Sequence, residues 1–310
     1  MGKENKEFEI NKIYKEPCLE TLKKIPDNFL DSVVTSPPYW QLRDYGYDGQ
    51  WGLEPTYQMY LENLWSMMDE IFRCLKPCGT VWINLGDTYN GNKIGNTSNK
   101  GYNENTVIST FKKEKQKEPD KTLLLIPHRF AIGCMERGWI IRNDIVWAKR
   151  NGMPESVTDR FYKKHEYFFF MTKSANYFFD LDSIRDKNIT QSNIRNKSIE
   201  SYGNELVLGK GEREWNNEKG KNPGSVSDFW DVPTKPSSEK HYASYNDNLL
   251  KKPVIAGCPE NGIIYDPFMG TGSTAEVCLR TNRNFIGSEM SSEYCEIAEK
   301  RIEKYSNLLF

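Results

Sequence analysis

Five consecutive residues, Ser36-Pro37-Pro38-Tyr39-Trp40, follow the run 32–35 and carry an unusual set of groups for chemistry on a flat ring. Pro37 and Pro38 have no backbone donor and fix their own φ angles, so they present rigid carbonyl acceptors at the tip of a strand. An exocyclic ring amine is a poor nucleophile because its lone pair is delocalised into the ring. Accepting its N–H bonds at the Pro37 carbonyl and near Ser36 Oγ favours a more tetrahedral nitrogen and stabilises the positive charge that develops on it. Tyr39 can stack on the ring and hold it in place, and Trp40 can add a second apolar wall. The same residues also read as a Pro-Pro turn with two core aromatics.

Far downstream stands Asp266-Pro267-Phe268-Met269-Gly270-Thr271-Gly272, which closes one apolar run and opens a helix at Ser273-Thr274. Glycines at such a turn let the backbone approach a ligand closely and point amide groups at it, although strand-to-helix turns also use glycine for steric reasons. Glu289, about twenty residues further on, is placed to accept hydrogen bonds from two ribose hydroxyls. The loop lacks the G-x-G-x-x-G dinucleotide signature, and no Lys follows its second glycine as a phosphate-binding loop requires. With Phe268 offering an aromatic face, these features favour S-adenosylmethionine over NAD or ATP.

Elements of regular period must hold these segments. Residues 9–14, 31–35, 80–85, 139–147, 165–171, 262–266 and 284–289 read as strands, and 19–24, 123–137, 273–281 and 291–305 as helices. Between them Leu61, Leu64, Trp65, Met68, Ile71, Phe72 and Leu75 recur at helical spacing up to Lys76-Pro77. Strands alternating with helices predict an α/β doubly wound fold, a largely parallel sheet covered on both faces. Two polar stretches interrupt it. Residues 89–121 are expected to form a long mobile loop, and 182–236 mix Arg, Lys, Asn, Gln and aromatic residues suited to base edges and phosphates.

The 310 residues carry 37% hydrophobic and 27% charged side chains, so the chain is globular, and a net charge of −1 leaves any nucleic-acid partner to local patches. Lys149, Arg150 and Arg160 flank a Pro-containing loop and are expected to hold phosphates, with ion pairs to Asp144, Glu155 or Asp159 as the alternative. No stretch approaches the roughly 20 apolar residues of a membrane span, which predicts a cytoplasmic protein without a membrane partner. The seven cysteines include no C-x-x-C pair; Cys74 and Cys78 could share a helical face, but nothing completes a zinc set, so buried reduced thiols and no metal are expected.

These segments together resemble the amino-type DNA methyltransferases, and within them the permuted β group, in which the catalytic motif precedes the S-adenosylmethionine loop. The resemblance rests on residues 30–40, with Asn84-Leu85-Gly86-Asp87-Thr88-Tyr89, residues 144–156, Arg160-Phe161, His165-Glu166-Tyr167, Phe229-Trp230-Asp231-Val232 and the stretch from His241 to Glu289. It implies a Rossmann-like methyltransferase sheet built from 1–181 and 237–310, with 182–236 as the target-recognition region. It also implies that Ser36, Pro37 and Pro38 hold the target amine, that Tyr39 stacks on a flipped base, that Asp266, Phe268, Gly270 and Gly272 line the cofactor, and that Glu289 takes the ribose.

Serine at the first motif position resembles the cytosine-N4 enzymes, whereas D-P-P-Y is the usual adenine-N6 form, which stays as the alternative. A hydroxyl can donate to cytosine N3 while accepting from the amine. The implied partner is double-stranded DNA; in such families a protective role beside a restriction endonuclease is common and homodimers occur. One departure is Glu16-Pro17-Cys18, where the family commonly has a Gly-Asp-Cys-like sequence meeting the cofactor adenine. A cytosine-C5 mechanism, which needs a Cys nucleophile, would have to use Cys18 or Cys78 and has no use for S-P-P-Y. A DNA-binding module without turnover and an RNA or protein methyltransferase are further alternatives.

Overall fold

The computed structural model describes residues 8–91, 114, 116–152, 154–185, 226–234 and 247–306. Its strands are β1 (Lys12–Tyr14), β2 (Leu30–Thr35), β3 (Leu75–Leu85), β4 (Ile140–Ala148), β5 (His165–Thr172), β6 (Phe229–Asp231), β7 (Ile263–Asp266) and β8 (Asn284–Ser288). The helices are α1 (Cys18–Lys24), α2 (Tyr57–Cys74), α3 (Ile126–Glu136), α4 (Asp247–Gly257), α5 (Ser273–Arg280) and α6 (Ser292–Ser306).

Local chemistry sets the boundaries. Thr56 caps α2 by accepting a hydrogen bond from Met59 N at 3.2 Å, and the helix buries Leu61, Leu64, Met68 and Ile71. It stops at Cys74, sooner than its apolar spacing suggests, because Pro77 pushes Lys76 out of helical conformation and the chain enters β3 at Leu75. Helix α3 starts at Ile126, later than expected, since Leu125 is left-handed (φ 53°, ψ 36°) and Pro127 sits in the first turn. Sequence reading did not register β6 or α4. The strand has three residues, and α4 carries Pro253 in its interior, which reads as a breaker.

All eight strands form one sheet in the order β1-β8-β7-β2-β3-β5-β4-β6, in which β5 alone runs against its neighbours. Alternate side chains feed two cores. Val33, Val81 and Ile83 pack with α1, α2 and α3, while Val34, Trp82 and Phe285 pack with α4, α5 and α6. The expectation of a largely parallel sheet covered on both faces holds. Strands from both ends of the chain meet within it, β2 lying beside β7.

That adjacency creates the crevice. From β2 the chain runs to α2 on one face, and from β7 to α5 on the opposite face. The two connections therefore part at the carboxyl ends of neighbouring strands, the place where open α/β sheets bind ligands. Most of 182–236, and the middle of 89–121, lie outside the described residues; at the latter's edge Tyr89 bridges Leu123. Among the described residues no helix is long and apolar enough to cross a membrane.

Candidate active site

A cavity of about 670 Å³ opens at this crevice, and both segments singled out in the sequence line it. Ser36, Pro37, Pro38 and Tyr39 form one side and Asp266, Phe268, Gly270 and Glu289 the other.

The first segment is held from beneath. Tyr60, buried on α2, donates its hydroxyl to the Pro38 carbonyl at 2.8 Å, whereas among the described residues no donor reaches the Pro37 carbonyl. The Tyr39 hydroxyl lies 2.7 Å from both Asn84 Oδ1 on β3 and Glu166 Oε2 on β5. Its ring rests against Gly86, where an added Cβ would fall 2.6 Å from Tyr39 Cε2. Ser36 Oγ is 3.5 Å from Asn84 Oδ1, and Asn84 is oriented by donating from Nδ2 to the Tyr167 carbonyl at 3.0 Å. A hydroxyl, a carbonyl and an aromatic ring thus face the same space from a rigid base.

The second segment is organised by Asp266, whose buried carboxylate accepts from Thr35 Oγ1 and Thr274 Oγ1 at 2.6 Å each and from Phe268 N at 3.0 Å. Burial raises its pKa above the ordinary Asp value, and these three donors oppose the rise. Asp266 consequently shapes the loop more than it offers free acceptors. Gly272 has φ 81°, and a Cβ there would meet Ala298 Cβ of α6 at 2.8 Å; at Gly270, φ 54°, nothing stands nearer than 3.9 Å. Gly272, which does not line the cavity, lets α5 and α6 touch, and Gly270 leaves room above the loop. Glu289, just past β8, accepts from Gly270 N at 2.9 Å and Ser291 N at 2.7 Å, and burial raises it above the ordinary Glu value.

A site with this geometry has known counterparts. The family model described as DNA methylase, of the N6/N4 type, matches residues 30–300. The chain belongs to the N6/N4 DNA methylase family. It is 32% identical to the Type II methyltransferase M.Cfr9I of Citrobacter freundii over 94% of this chain and 87% of that protein. M.SmaI of Serratia marcescens is also 32% identical, over 91% of this chain and 87% of its own length. Among solved structures, the cytosine-N4-specific PvuII DNA methyltransferase superposes with a TM-score of 0.64 at 15% identity, covering 97% of this chain and 91% of that one. A putative DNA modification methylase of Thermus thermophilus, in complex with S-adenosyl-L-methionine, gives 0.58 at 20% identity, covering 94% and 95%. These likenesses place the fold among Rossmann-like methyltransferases.

Some residues of this DNA methylase stand elsewhere than the sequence suggested. Trp40 is 2% exposed, packs edge-on to Tyr57 and donates from Nε1 to the Glu54 carbonyl at 2.9 Å, so it belongs to the core and not to a cavity wall. Trp51 takes that place, tilted against Phe268 at 5.4 Å between ring centroids. Lys149 lines the cavity and pairs with Glu166. Arg150 makes a two-pronged pair with Asp231, at 2.8 Å and 2.7 Å to Oδ2. Arg160 pairs with Glu155 at 2.7 Å, as the ion-pair alternative has it, and lies 4.0 Å over the Tyr89 ring, whereas Arg150's partner Asp231 is not among the carboxylates expected.

Glu16 borders the cavity while accepting from Thr21 Oγ1 at 2.9 Å. Cys18 also borders it, but burial pushes its thiol up to about 12, far from the thiolate a C5 mechanism needs. Of the seven free cysteines only Cys78 is exposed. Glu166, Asn84, Tyr60 and Trp51 escaped the sequence reading as site residues. The signal for Glu166 was a carboxylate at the start of an otherwise apolar, aromatic strand.

Proposed function

We propose that this DNA methylase moves the methyl group of S-adenosylmethionine to N4 of a cytosine turned out of duplex DNA. The observation that carries this reading is the shared cavity at the β2–β7 switch point, in which Ser36, Pro37 and Tyr39 face the loop 268–270 and Glu289. It belongs to the permuted group, since the amine-holding segment precedes the cofactor loop in the chain.

The residues on the cofactor side fit S-adenosylmethionine. Phe268 and Trp51 supply apolar faces for an adenine, and the Glu289 carboxylate, which accepts from backbone amides, keeps lone-pair capacity for a ribose hydroxyl. The space above Gly270 admits the ligand close to the backbone. When bound, this cofactor supplies an electrophilic methyl group on a sulfonium.

The chain does the rest by positioning and electrostatics. Tyr39 stacks on the cytosine, and the Pro37 carbonyl and Ser36 Oγ accept the two N4–H bonds, so positive charge growing on nitrogen meets two oxygen dipoles. Ser36 can also donate to N3, the acceptor that adjoins the amine in cytosine. The PvuII enzyme that shares the fold is cytosine-N4-specific, which agrees. Residues 1–181 and 237–310 make the methyltransferase, residues 182–236 read the target sequence, and likeness to Type II methyltransferases suggests protection of DNA beside a cognate endonuclease.

Transfer of tritium from methyl-labelled S-adenosylmethionine to duplex DNA, total RNA and protein tests this reading. Label in DNA alone is expected. Label confined to RNA or protein would reject it, and cofactor binding without transfer would favour a module that has lost turnover.

A further inference from the structure

Glu166 has no part in the chemistry set out above, yet it is the carboxylate nearest to the stacking ring. It belongs to β5, opposite Trp147 of β4, and only 14% of its side chain is exposed. One oxygen pairs with Lys149 and the other lies 2.7 Å from the Tyr39 hydroxyl. A buried carboxylate is costly unless paired and hydrogen-bonded, and both conditions are met here. Tyr39 has one hydroxyl proton and two acceptors at equal distance, Asn84 Oδ1 and Glu166 Oε2, each fixed by its strand. The single proton serves one of them, and the carboxylate of the ion pair is the stronger acceptor, so Glu166 holds the tip. The flank of the ring rests on Gly86, where no side chain fits.

We propose that Glu166, held in place by Lys149, is the positioning residue of Tyr39, fixing the plane on which the flipped base stacks. The assignment rests on the function proposed above. It moves Lys149 from the DNA backbone, where its charge suggested a phosphate contact, to the wall of the cavity. Small misplacements of a reacting group cost large factors in rate, so the effect belongs in kcat rather than in DNA affinity.

The test is a double-mutant cycle with Glu166→Gln and Tyr39→Phe, read as kcat, DNA Kd and the emission of 2-aminopurine at the target position. Glu166→Gln is expected to lower kcat about tenfold or more, the scale of a charge-assisted hydrogen bond, with DNA Kd within about twofold. Tyr39→Phe should lose a similar factor, and the double variant no more than either single one, because both remove the same contact. Emission should rise in Glu166→Gln as the loosened ring stacks less well. Wild-type kcat in Glu166→Gln, or losses that multiply in the double variant, would overturn the assignment. Should Glu166→Gln fail to bind S-adenosylmethionine or melt early, Tyr39→Phe, which leaves the Lys149–Glu166 pair intact, decides: unchanged kcat and emission there overturn it. Transfer by the wild-type protein on a matching duplex that keeps the target cytosine separates failure of this assignment from failure of the functional reading.

Discussion

The hydroxyl of Thr35, last residue of β2, donates to the carboxylate of Asp266, last residue of β7, across 2.6 Å. The same carboxylate accepts from Thr274 and from the Phe268 amide, so one buried group joins the amine-holding segment to the cofactor loop and to α5. Asp266→Ala would strand three donors and is expected to cost about 3 kcal/mol or more of unfolding free energy. Thr35→Val removes one bond and should cost about 1 kcal/mol. Urea denaturation measures both; loss of cofactor affinity in Thr35→Val, at a residue that precedes the amine-holding segment, would show that the two half-sites share this anchor.

The two glycines of the loop should respond differently to Ala. Gly272→Ala meets Ala298 at 2.8 Å and a positive φ, so about 2 kcal/mol or more of stability is expected to go as α5 and α6 are forced apart. Gly270→Ala meets open space and carries chiefly the left-handed backbone cost, about 1 kcal/mol, but its methyl group enters the cofactor side of the cavity. Thermal melts should therefore rank Gly272→Ala lower, while calorimetry with S-adenosylmethionine finds weaker binding to Gly270→Ala even at temperatures where it is fully folded.

Glu289 gives a pH dependence with a definite sign. Burial raises its carboxyl above 4.5, and a ribose needs the ionised form as acceptor. Cofactor affinity should fall as pH drops through the raised value, beginning above the range of an ordinary Glu. For the free protein the linkage runs the other way. A raised folded value means that this group's contribution to stability is present below the unfolded value and is lost as pH rises through the folded one. Glu289→Gln should weaken binding at neutral pH and flatten both profiles, which calorimetry and melts from about pH 4.5 to 8 would follow.

Arg150 is 70% exposed in its pair with Asp231, and exposed pairs contribute under about 1 kcal/mol. Arg150→Ala should therefore leave the melting temperature almost unchanged. If the guanidinium leaves Asp231 for a phosphate on DNA binding, the slope of log K against log salt falls by about 0.9. An unchanged slope would restrict Arg150 to its ion pair. Arg160, held by both Glu155 and the Tyr89 ring, should show a larger loss of stability on replacement by Ala.

Periodicity made most of the scaffold legible. Strand β2 is buried at all six positions, and the helical spacing of Leu61, Leu64, Met68 and Ile71 marks the face that α2 buries. Position in the chain was enough to bring residues 36–39 and 266–270 to neighbouring strand ends, because a doubly wound sheet has few places to put a ligand. What escaped depends on contacts no local pattern encodes. Trp40 looks like a site aromatic until the Glu54 carbonyl, fourteen residues on, captures its indole. The partner of Glu166 lies across two strands at Tyr39, and Tyr60 meets the Pro38 carbonyl from a helix whose amphipathic pattern explains its burial but not its hydrogen bond. Helix α4 was hidden by Pro253, whose cost its buried Leu249, Leu250 and Val254 offset.

The central claim concerns one atom, the cytosine N4. Duplex DNA of random sequence is incubated with the protein and S-adenosylmethionine, digested to nucleosides and analysed by mass spectrometry, with a Ser36→Ala variant in parallel. The account predicts N4-methylcytosine as the new nucleoside, reduced about tenfold or more in rate by Ser36→Ala. N6-methyladenine in its place would contradict it.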